Sequence, residues 1–194
     1  MNILIVYTHP NSTSFNHAIL DSISIGLEKA GHAVRIKDLY KENFDPVLHA
    51  EDLANLQVGD IPERIGRQQE DLLWAEGLVF IYPLWWFDRP AMLKGWFDLV
   101  LTNGLAFEYS DKGVRGLLKH KKALVIITAG GSKQYFIDTD ALQLIHRPVT
   151  DGTLSFCGIS DVTHRIYYDV ANLSDDERAD ILNESVVLGE TFAN

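Results

Sequence analysis

The chain has 194 residues and a formal net charge of −10, from 17 Lys plus Arg against 27 Asp plus Glu, and such an acidic protein is a poor partner for nucleic acids and anionic membranes. Its one cysteine, Cys157, excludes an intrachain disulfide and a multi-cysteine metal site, and no apolar run reaches membrane-spanning length. We therefore predict a single cytoplasmic domain over residues 1–194, with a core that needs neither disulfides nor metals.

The N-terminal segment combines a strand, a hydroxyl-rich loop and a helix. Residues 3–6 are aliphatic on both faces, which is typical of a strand covered on both sides, and a helical pattern covers residues 14–30. The loop between them holds short polar side chains that can donate to an anion beside the amides of the helix: Thr8, Asn11, Ser12, Thr13, Ser14 and Asn16. The loop matches neither the dinucleotide fingerprint nor the P-loop, so we interpret it as a site for a flavin phosphate. A helix start with redundant caps is the structural alternative.

Further strands and helices alternate along the rest of the chain. Strand-like runs cover residues 33–38, 78–82, 123–128 and 162–168, and helical patterns cover residues 62–75, 90–102, 138–147 and 175–192. This alternation predicts an α/β fold with a doubly wound, five-stranded parallel sheet and helices on both faces. Ligands bind such sheets beyond the carboxyl ends of the strands.

Two more loops at that edge of the sheet have unusual content. The loop after residues 78–82 holds three aromatic side chains between two prolines: Pro83, Trp85, Trp86, Phe87 and Pro90. Large aromatics at a strand exit favour a wall for a flat ring, with a hydrophobic plug under the next helix as the alternative. After residues 123–128, Gly130 and Gly131 allow backbone amides to approach a planar ring. One phosphate loop and two ring loops at one sheet edge predict a flavin site.

Seven segments, spread nearly from end to end, carry a family resemblance. They are residues 9–16, 38–46, 83–87, 90–97, 106–109, 128–131 and 156–158. In this order they resemble the flavodoxin-like NAD(P)H:quinone oxidoreductases, which include mammalian quinone reductase, bacterial modulators of drug activity and potassium-efflux ancillary proteins. The resemblance implies a flavodoxin-like sheet of strand order 2-1-3-4-5. It also implies NAD(P)H dehydrogenase (quinone) activity, with two-electron hydride transfer through a bound flavin to a quinone or similar planar acceptor by a ping-pong mechanism.

The same resemblance implies roles for individual residues. The cofactor would be FAD, with FMN as the alternative, and NAD(P)H would be the transient reductant. The residues implied to hold the flavin phosphates and ring are His9, Thr13, Phe15, Asn16, Pro83, Leu84, Trp85, Trp86, Phe87, Thr128, Ala129, Gly130, Gly131 and Tyr135. Asp98 would lie near the adenosine part of FAD. Phe107, Tyr109 and Phe156 would cap the ring face where nicotinamide and quinone bind in turn, within a homodimer that shares its sites.

The segment after Gly131 departs from the mammalian members. Those enzymes place a tyrosine and then a histidine there; Tyr135 matches the tyrosine and is the candidate catalytic residue, but the matching distance onward reaches Ala141. His146 lies behind a different spacing, so we assign it no role. Oriented amides can stabilise charge on a reduced ring without that histidine. The histidines lack metal-ligand spacing, and we expect no metal.

Other functions stay open from the sequence alone. One alternative is a flavin-binding regulatory subunit of a potassium-efflux transporter, and another is an azo- or nitroreductase, because a flat aromatic pocket does not define the acceptor. A one-electron flavodoxin carrier fits poorly, since the phosphate loop lacks the Thr/Ser-x-Thr-Gly-x-Thr pattern. The sequence does not distinguish NADH from NADPH.

Overall fold

A five-stranded parallel sheet forms the centre of the computed structural model, which describes residues 1–193. In chain order the strands are β1 (Asn2–Tyr7), β2 (Ala33–Asp38), β3 (Gly77–Pro83), β4 (Phe107–Ser110), β5 (Gly113–Gly116), β6 (Lys122–Thr128) and β7 (Val162–Tyr167). The sheet has the order β2-β1-β3-β6-β7, and β4 pairs with β5 in a separate antiparallel hairpin. Without that hairpin the order is 2-1-3-4-5, so the predicted fold class is confirmed.

Seven α-helices surround the sheet within the described residues. They are α1 (Phe15–Lys29), α2 (Ala50–Gln57), α3 (Glu63–Trp74), α4 (Ala91–Val100), α5 (Lys133–Asp138), α6 (Leu142–Val149) and α7 (Asp175–Glu190), and a π-helical turn, Thr150–Ser155, follows α6. None of these helices is long and apolar enough to cross a membrane.

Alternation along β1 explains why both faces of the sheet carry helices. Ile3 and Ile5 pack in the cluster that includes α1 and α7, while Leu4 and Val6 pack in the cluster that includes α3, α4 and α6. Residues 3–6 are fully buried. A strand buried on both faces must be aliphatic throughout, which is what made it recognisable in the sequence.

Local signals in the sequence define the ends of the two helices on the first face. Ser14 caps α1, its Oγ accepting from the His17 N–H at 3.2 Å, and Gly31 follows the helix with φ 77°. Ser174 and Glu177 form a capping box at the start of α7. These two helices contact each other closely.

Three parts of the predicted secondary structure needed correction. The helix predicted over residues 138–147 begins too early: α5 ends at Asp138, Asp140 adopts a left-handed φ of 52°, and α6 begins only at Leu142. Helix α2 was not predicted because it buries only Asp52 and therefore shows no apolar periodicity. The β4–β5 hairpin was missed because its strands are four residues long and largely exposed.

Candidate active site

The three loops singled out in the sequence meet at the carboxyl edge of the sheet. His9, after β1, faces Trp85, after β3, with ring centroids 6.3 Å apart. Phe87 lies 6.4 Å from the ring of Tyr135, which follows β6. The three loops therefore form one continuous surface.

A buried hydrogen bond joins the first loop to the third. Asn16, in the first turn of α1, donates from Nδ2 to Thr128 Oγ1 at 2.7 Å, and both residues are buried. Leu84 also donates from its backbone N–H to the Thr128 carbonyl at 2.8 Å, which ties the second loop to the same residue. Thr128 thus sets the relative position of all three loops.

Hydrogen bonds within the first loop fix its shape and leave the start of α1 uncovered. Asn11 Oδ1 accepts from both the N–H and the Oγ1 of Thr13, at 2.8 Å each, and His9 Nδ1 accepts from the Asn11 N–H at 3.0 Å. The first backbone N–H groups of α1, at Phe15 and Asn16, have no acceptor within residues 1–193. Free amides at the positive end of a helix dipole form an anion site.

Two buried polar atoms at this edge lack partners in the described part of the chain. They are Thr8 Oγ1 and Asn16 Oδ1. Buried polar atoms in native proteins are nearly always satisfied. An acceptor or donor from a ligand, or an ordered water, is therefore expected beside them.

The second loop is a strained hairpin turn built from bulky residues. Trp85 and Asp88 exchange two backbone hydrogen bonds of 3.0 Å, and the residues between them, Trp86 and Phe87, have φ values of 53° and 60°. Positive φ at both central positions defines a type I′ turn, which normally holds Asn-Gly. Each such residue costs on the order of 1–3 kcal/mol. The turn nevertheless holds the Trp86 side chain 96% exposed, an arrangement that packing within the chain does not explain.

The backbone of the third loop is uncovered by neighbouring side chains at Gly130. A Cβ at Gly130 would meet nothing within 4 Å, so no neighbouring protein atom requires a glycine there. The N–H groups of Gly130 and Gly131 have no acceptor within the described residues. Ser132 caps α5 and presents Tyr135, half exposed, on the first turn of that helix.

The three aromatic residues expected to cap a ring also come together. Phe107 contacts Tyr109 and Phe156, with centroid distances of 5.6 Å and 5.2 Å. We call these three residues the aromatic trio. Within residues 1–193 its rings contact one another and not the rings of the three loops, and Tyr109 is 71% exposed.

Asp98 and His146 lie apart from the three loops. Asp98 is exposed on α4, forms an ion pair with Lys94 and lines a cavity with Phe107 and Phe156. His146 stacks on His164 with ring centroids 4.3 Å apart, and burial lowers the pKa of both rings. The expectation that Asp98 lies near the adenosine part of FAD stays a prediction.

The single cysteine of the chain is buried and poorly suited to nucleophilic chemistry. Burial raises the pKa of the Cys157 thiol to about 11, which disfavours a nucleophilic thiolate. No cluster of three or more His, Cys, Asp or Glu side chains that could hold a metal ion occurs among the described residues.

One residue of interest was not identified from the sequence. Arg89 is buried directly after the strained turn, and its Nε has no partner in the described structure. The only signal in the sequence was a cation placed between Asp88 and Pro90, in the loop bounded by two prolines.

Comparison with known proteins gives a consistent result. The model of the Flavodoxin_2 family, described as "Flavodoxin-like fold", matches residues 1–186. The chain is 35% identical over 179 residues to an uncharacterized NAD(P)H oxidoreductase of Haemophilus influenzae, covering 92% of this chain and 89% of that one. It is 32% identical to NAD(P)H dehydrogenase [quinone] 1 of Cavia porcellus, covering 92% and 72%. Among solved structures, an NAD(P)H:quinone oxidoreductase from Methanothermobacter marburgensis superposes with a TM-score of 0.89 at 32% identity, covering 100% and 98%.

Proposed function

Because the chain belongs to the Flavodoxin_2 family of flavodoxin-like proteins, we propose that it is a flavin-dependent NAD(P)H:quinone oxidoreductase. The observation that carries this proposal is the meeting of three loops at one sheet edge, where one loop offers donors to an anion and two offer a wall and open backbone to a flat ring. Relatives named for NAD(P)H oxidation and quinone reduction support it.

The residues present fit a flavin. The free amides of Phe15 and Asn16 would hold its phosphates. The Thr13 hydroxyl, which donates to Asn11 Oδ1 in the structure, would join them by turning to a phosphate oxygen. Its ring would lie against the ring wall formed by Trp85, Trp86 and Phe87, where a flat surface would cover exposed aromatic area. Thr8 Oγ1 and Asn16 Oδ1 are buried polar atoms at the same edge that such a ligand could satisfy.

When bound, the flavin would accept hydride from NAD(P)H and pass it to the quinone. The chain's own part is to stabilise charge and to position the reactants. The unbonded N–H groups of Gly130 and Gly131 would face the negative charge that gathers on the ring. The Tyr135 hydroxyl, held near Phe87, would donate a hydrogen bond to the reacting group. We place the nicotinamide and the quinone in turn on one ring face, which makes the reaction ping-pong.

The cavity beside the first loop favours FAD over FMN. It has a volume of about 580 Å³ and is lined by His9, Ser12, Asp38, Tyr40 and Lys41, among others. FMN carries one phosphate, whereas FAD carries a second one, which would extend into this space beside Lys41. Mass spectrometry of the flavin released on denaturation distinguishes the two.

The test is an anaerobic absorption titration of the purified, flavin-loaded protein. We expect flavin absorbance that bleaches when NADPH or NADH is added and returns when a benzoquinone follows. Flavin bands that stay oxidised with both nucleotides would contradict the proposed reductase, and a protein that binds no flavin after reconstitution would contradict the site itself. Repeating the second addition with an azo dye and a nitroarene ranks the acceptor classes.

A further inference from the structure

A charged cavity borders the aromatic trio. Its volume is about 380 Å³, and its lining includes Arg89, Lys94, Phe97, Asp98, Phe107 and Phe156. Two of these residues belong to the trio, so the cavity opens beside the surface on which a planar acceptor is expected. Its two cations distinguish it from an ordinary aromatic pocket.

Arg89 is a buried cation with too few acceptors. Its side chain is 5% exposed, and Nη1 donates to Asp88 Oδ1 at 2.9 Å. Nε is buried without a partner, and the guanidinium carbon lies 5.2 Å from the centroid of the Phe97 ring. A guanidinium has five donors in a planar fork that suits an oxyanion.

Asp88 does not satisfy Arg89 fully. The same Oδ1 also accepts from the Arg89 backbone N–H at 2.7 Å, and the Asp88 side chain is 52% exposed. Water therefore screens this carboxylate, while the guanidinium beside it is removed from water. A buried charge paired in this way is expected to have a further acceptor.

Lys94 adds a second cation to the lining of the cavity. It pairs with Asp98 one helical turn away, and both side chains are close to half exposed. An exposed pair of this kind contributes little and is easily rearranged. Asp98 would oppose an incoming anion, but Lys94 offsets its charge, and Arg89 adds a further cation to the lining.

We propose that this cavity is an anion subsite, in which Arg89 with help from Lys94 binds the sulfonate or carboxylate of a planar aromatic acceptor whose ring lies against Phe107 and Phe156. The inference rests on the proposed function for its ligand class, because it narrows the acceptors to those that carry an acidic group. Binding at the subsite requires no turnover, so it can be tested independently.

The test measures the binding of anthraquinone-2-sulfonate and of the neutral 2-(hydroxymethyl)anthraquinone to the oxidised, flavin-loaded protein by calorimetry. In the unmodified protein we expect the sulfonate to bind more tightly, with an affinity that falls as salt is added. Arg89→Met should reduce the ratio of the two affinities by about tenfold or more, the range of a charge-assisted hydrogen bond. Arg89→Lys, which keeps the charge, should restore part of the ratio.

Lys94→Met provides a second variant in case Arg89→Met fails to fold. We expect it to reduce the same ratio several-fold, since an exposed cation contributes less than a buried one. An unchanged ratio in both variants would overturn the subsite. An effect of Arg89→Met confined to the binding of 2′-phosphoadenosine compounds would also overturn it, because the cation would then serve the nucleotide phosphate.

The two proposals fail separately. Arg89-dependent sulfonate binding in a protein that oxidises no NAD(P)H would contradict the reductase and leave the subsite standing. Quinone reduction without any Arg89-dependent preference for acidic ligands would support the reductase and contradict the subsite.

Discussion

Trp86 is held in a backbone conformation that its side chain does not favour. Its φ is 53° and its indole is almost fully exposed, so it contributes strain and little packing to the folded chain. Trp86→Asn should therefore stabilise the flavin-free protein by about 1 kcal/mol, because asparagine tolerates left-handed φ. The same change should weaken flavin binding, since the indole forms part of the proposed ring wall. Urea unfolding and a flavin titration measure the two effects.

Trp86→Ala is the matched control for this prediction. Alanine removes the indole as asparagine does, but it does not relieve the left-handed strain. Both variants should lose flavin affinity, and only Trp86→Asn should gain stability. Equal stability of the two apoproteins would show that the turn is not strained in the way its φ values indicate.

His164 makes the free energy of unfolding depend on pH. It stacks on His146, its Nε2 contacts Thr150 Oγ1 at 2.5 Å, and burial, followed by the charge of His146, lowers its pKa from 6.5 to about 4. Between pH 6.5 and pH 4 the unfolded chain therefore binds a proton at this site that the folded chain does not. Stability contributed by the neutral ring is complete above pH 6.5 and is lost as the pH falls toward 4.

We expect the free energy of unfolding to fall by roughly 1–2 kcal/mol through this residue between pH 7 and pH 4.5. Urea unfolding at several pH values, compared between the unmodified protein and His164→Gln, isolates the effect. Glutamine cannot titrate, so the free energy of unfolding of the variant should fall less steeply between pH 7 and pH 4.5. Parallel pH profiles for the two proteins would contradict the assignment.

At the scale of elements, α1 and α7 approach each other through two glycines. A Cβ at Gly26 would lie 2.0 Å from the Val186 carbonyl oxygen, and one at Gly189 would lie 2.5 Å from the Ile23 carbonyl oxygen. Both contacts are with backbone, which cannot move aside cheaply. The glycines therefore permit the close approach of the two helices that cover one face of the sheet.

Gly26→Ala should destabilise the fold by about 1–3 kcal/mol, despite the better helix propensity of alanine, because the helices must separate. Gly66→Ala in α3 is the control: its added Cβ would come no closer than 3.8 Å to Ile61 Cγ2, so the propensity gain should dominate. Thermal unfolding should show opposite signs for the two variants. A shared sign would mean that the α1–α7 contact relaxes freely.

Elements buried on two faces were predictable, and exposed ones were not. The strands β1, β3 and β6 consist almost entirely of buried residues, most of them apolar, and the predicted strands overlap them within a residue or two. Helix α2 and the β4–β5 hairpin carry little buried apolar surface, so no periodic pattern marks them. The break at residues 139–141 depends on the left-handed Asp140, which sequence composition does not specify.

At the scale of the whole molecule, topology made the site predictable. The carboxyl ends of β1, β3 and β6 adjoin because those strands neighbour one another in the sheet, so the loops after them had to meet. Sequence reasoning could not find the type I′ turn at Trp86 and Phe87 or the burial of Arg89. Both depend on backbone angles and packing that aromatic and charged residues do not normally adopt.

The exposed aromatic residues favour a homodimer whose sites are shared. Trp86 and Tyr109 are both largely exposed, and within residues 1–193 the rings of the aromatic trio do not contact the rings of the ring wall. A second copy that places its trio over this wall would cover both surfaces. We therefore expect light scattering to give twice the chain mass of 21.8 kDa.

Whether two copies of the chain share their active sites can be tested by mixing two inactive variants. Trp86→Ala removes part of the ring wall and Tyr109→Ala removes part of the trio, and we expect each variant alone to lose most quinone reduction. After unfolding and refolding together with flavin, half of the dimers should be mixed, and each would hold one site with an intact wall from one copy and an intact trio from the other. Activity should then recover to roughly a quarter of the unmodified level. If wall and trio served the same chain, no mixture could contain an intact site, and the activity would stay at the level of the separate variants.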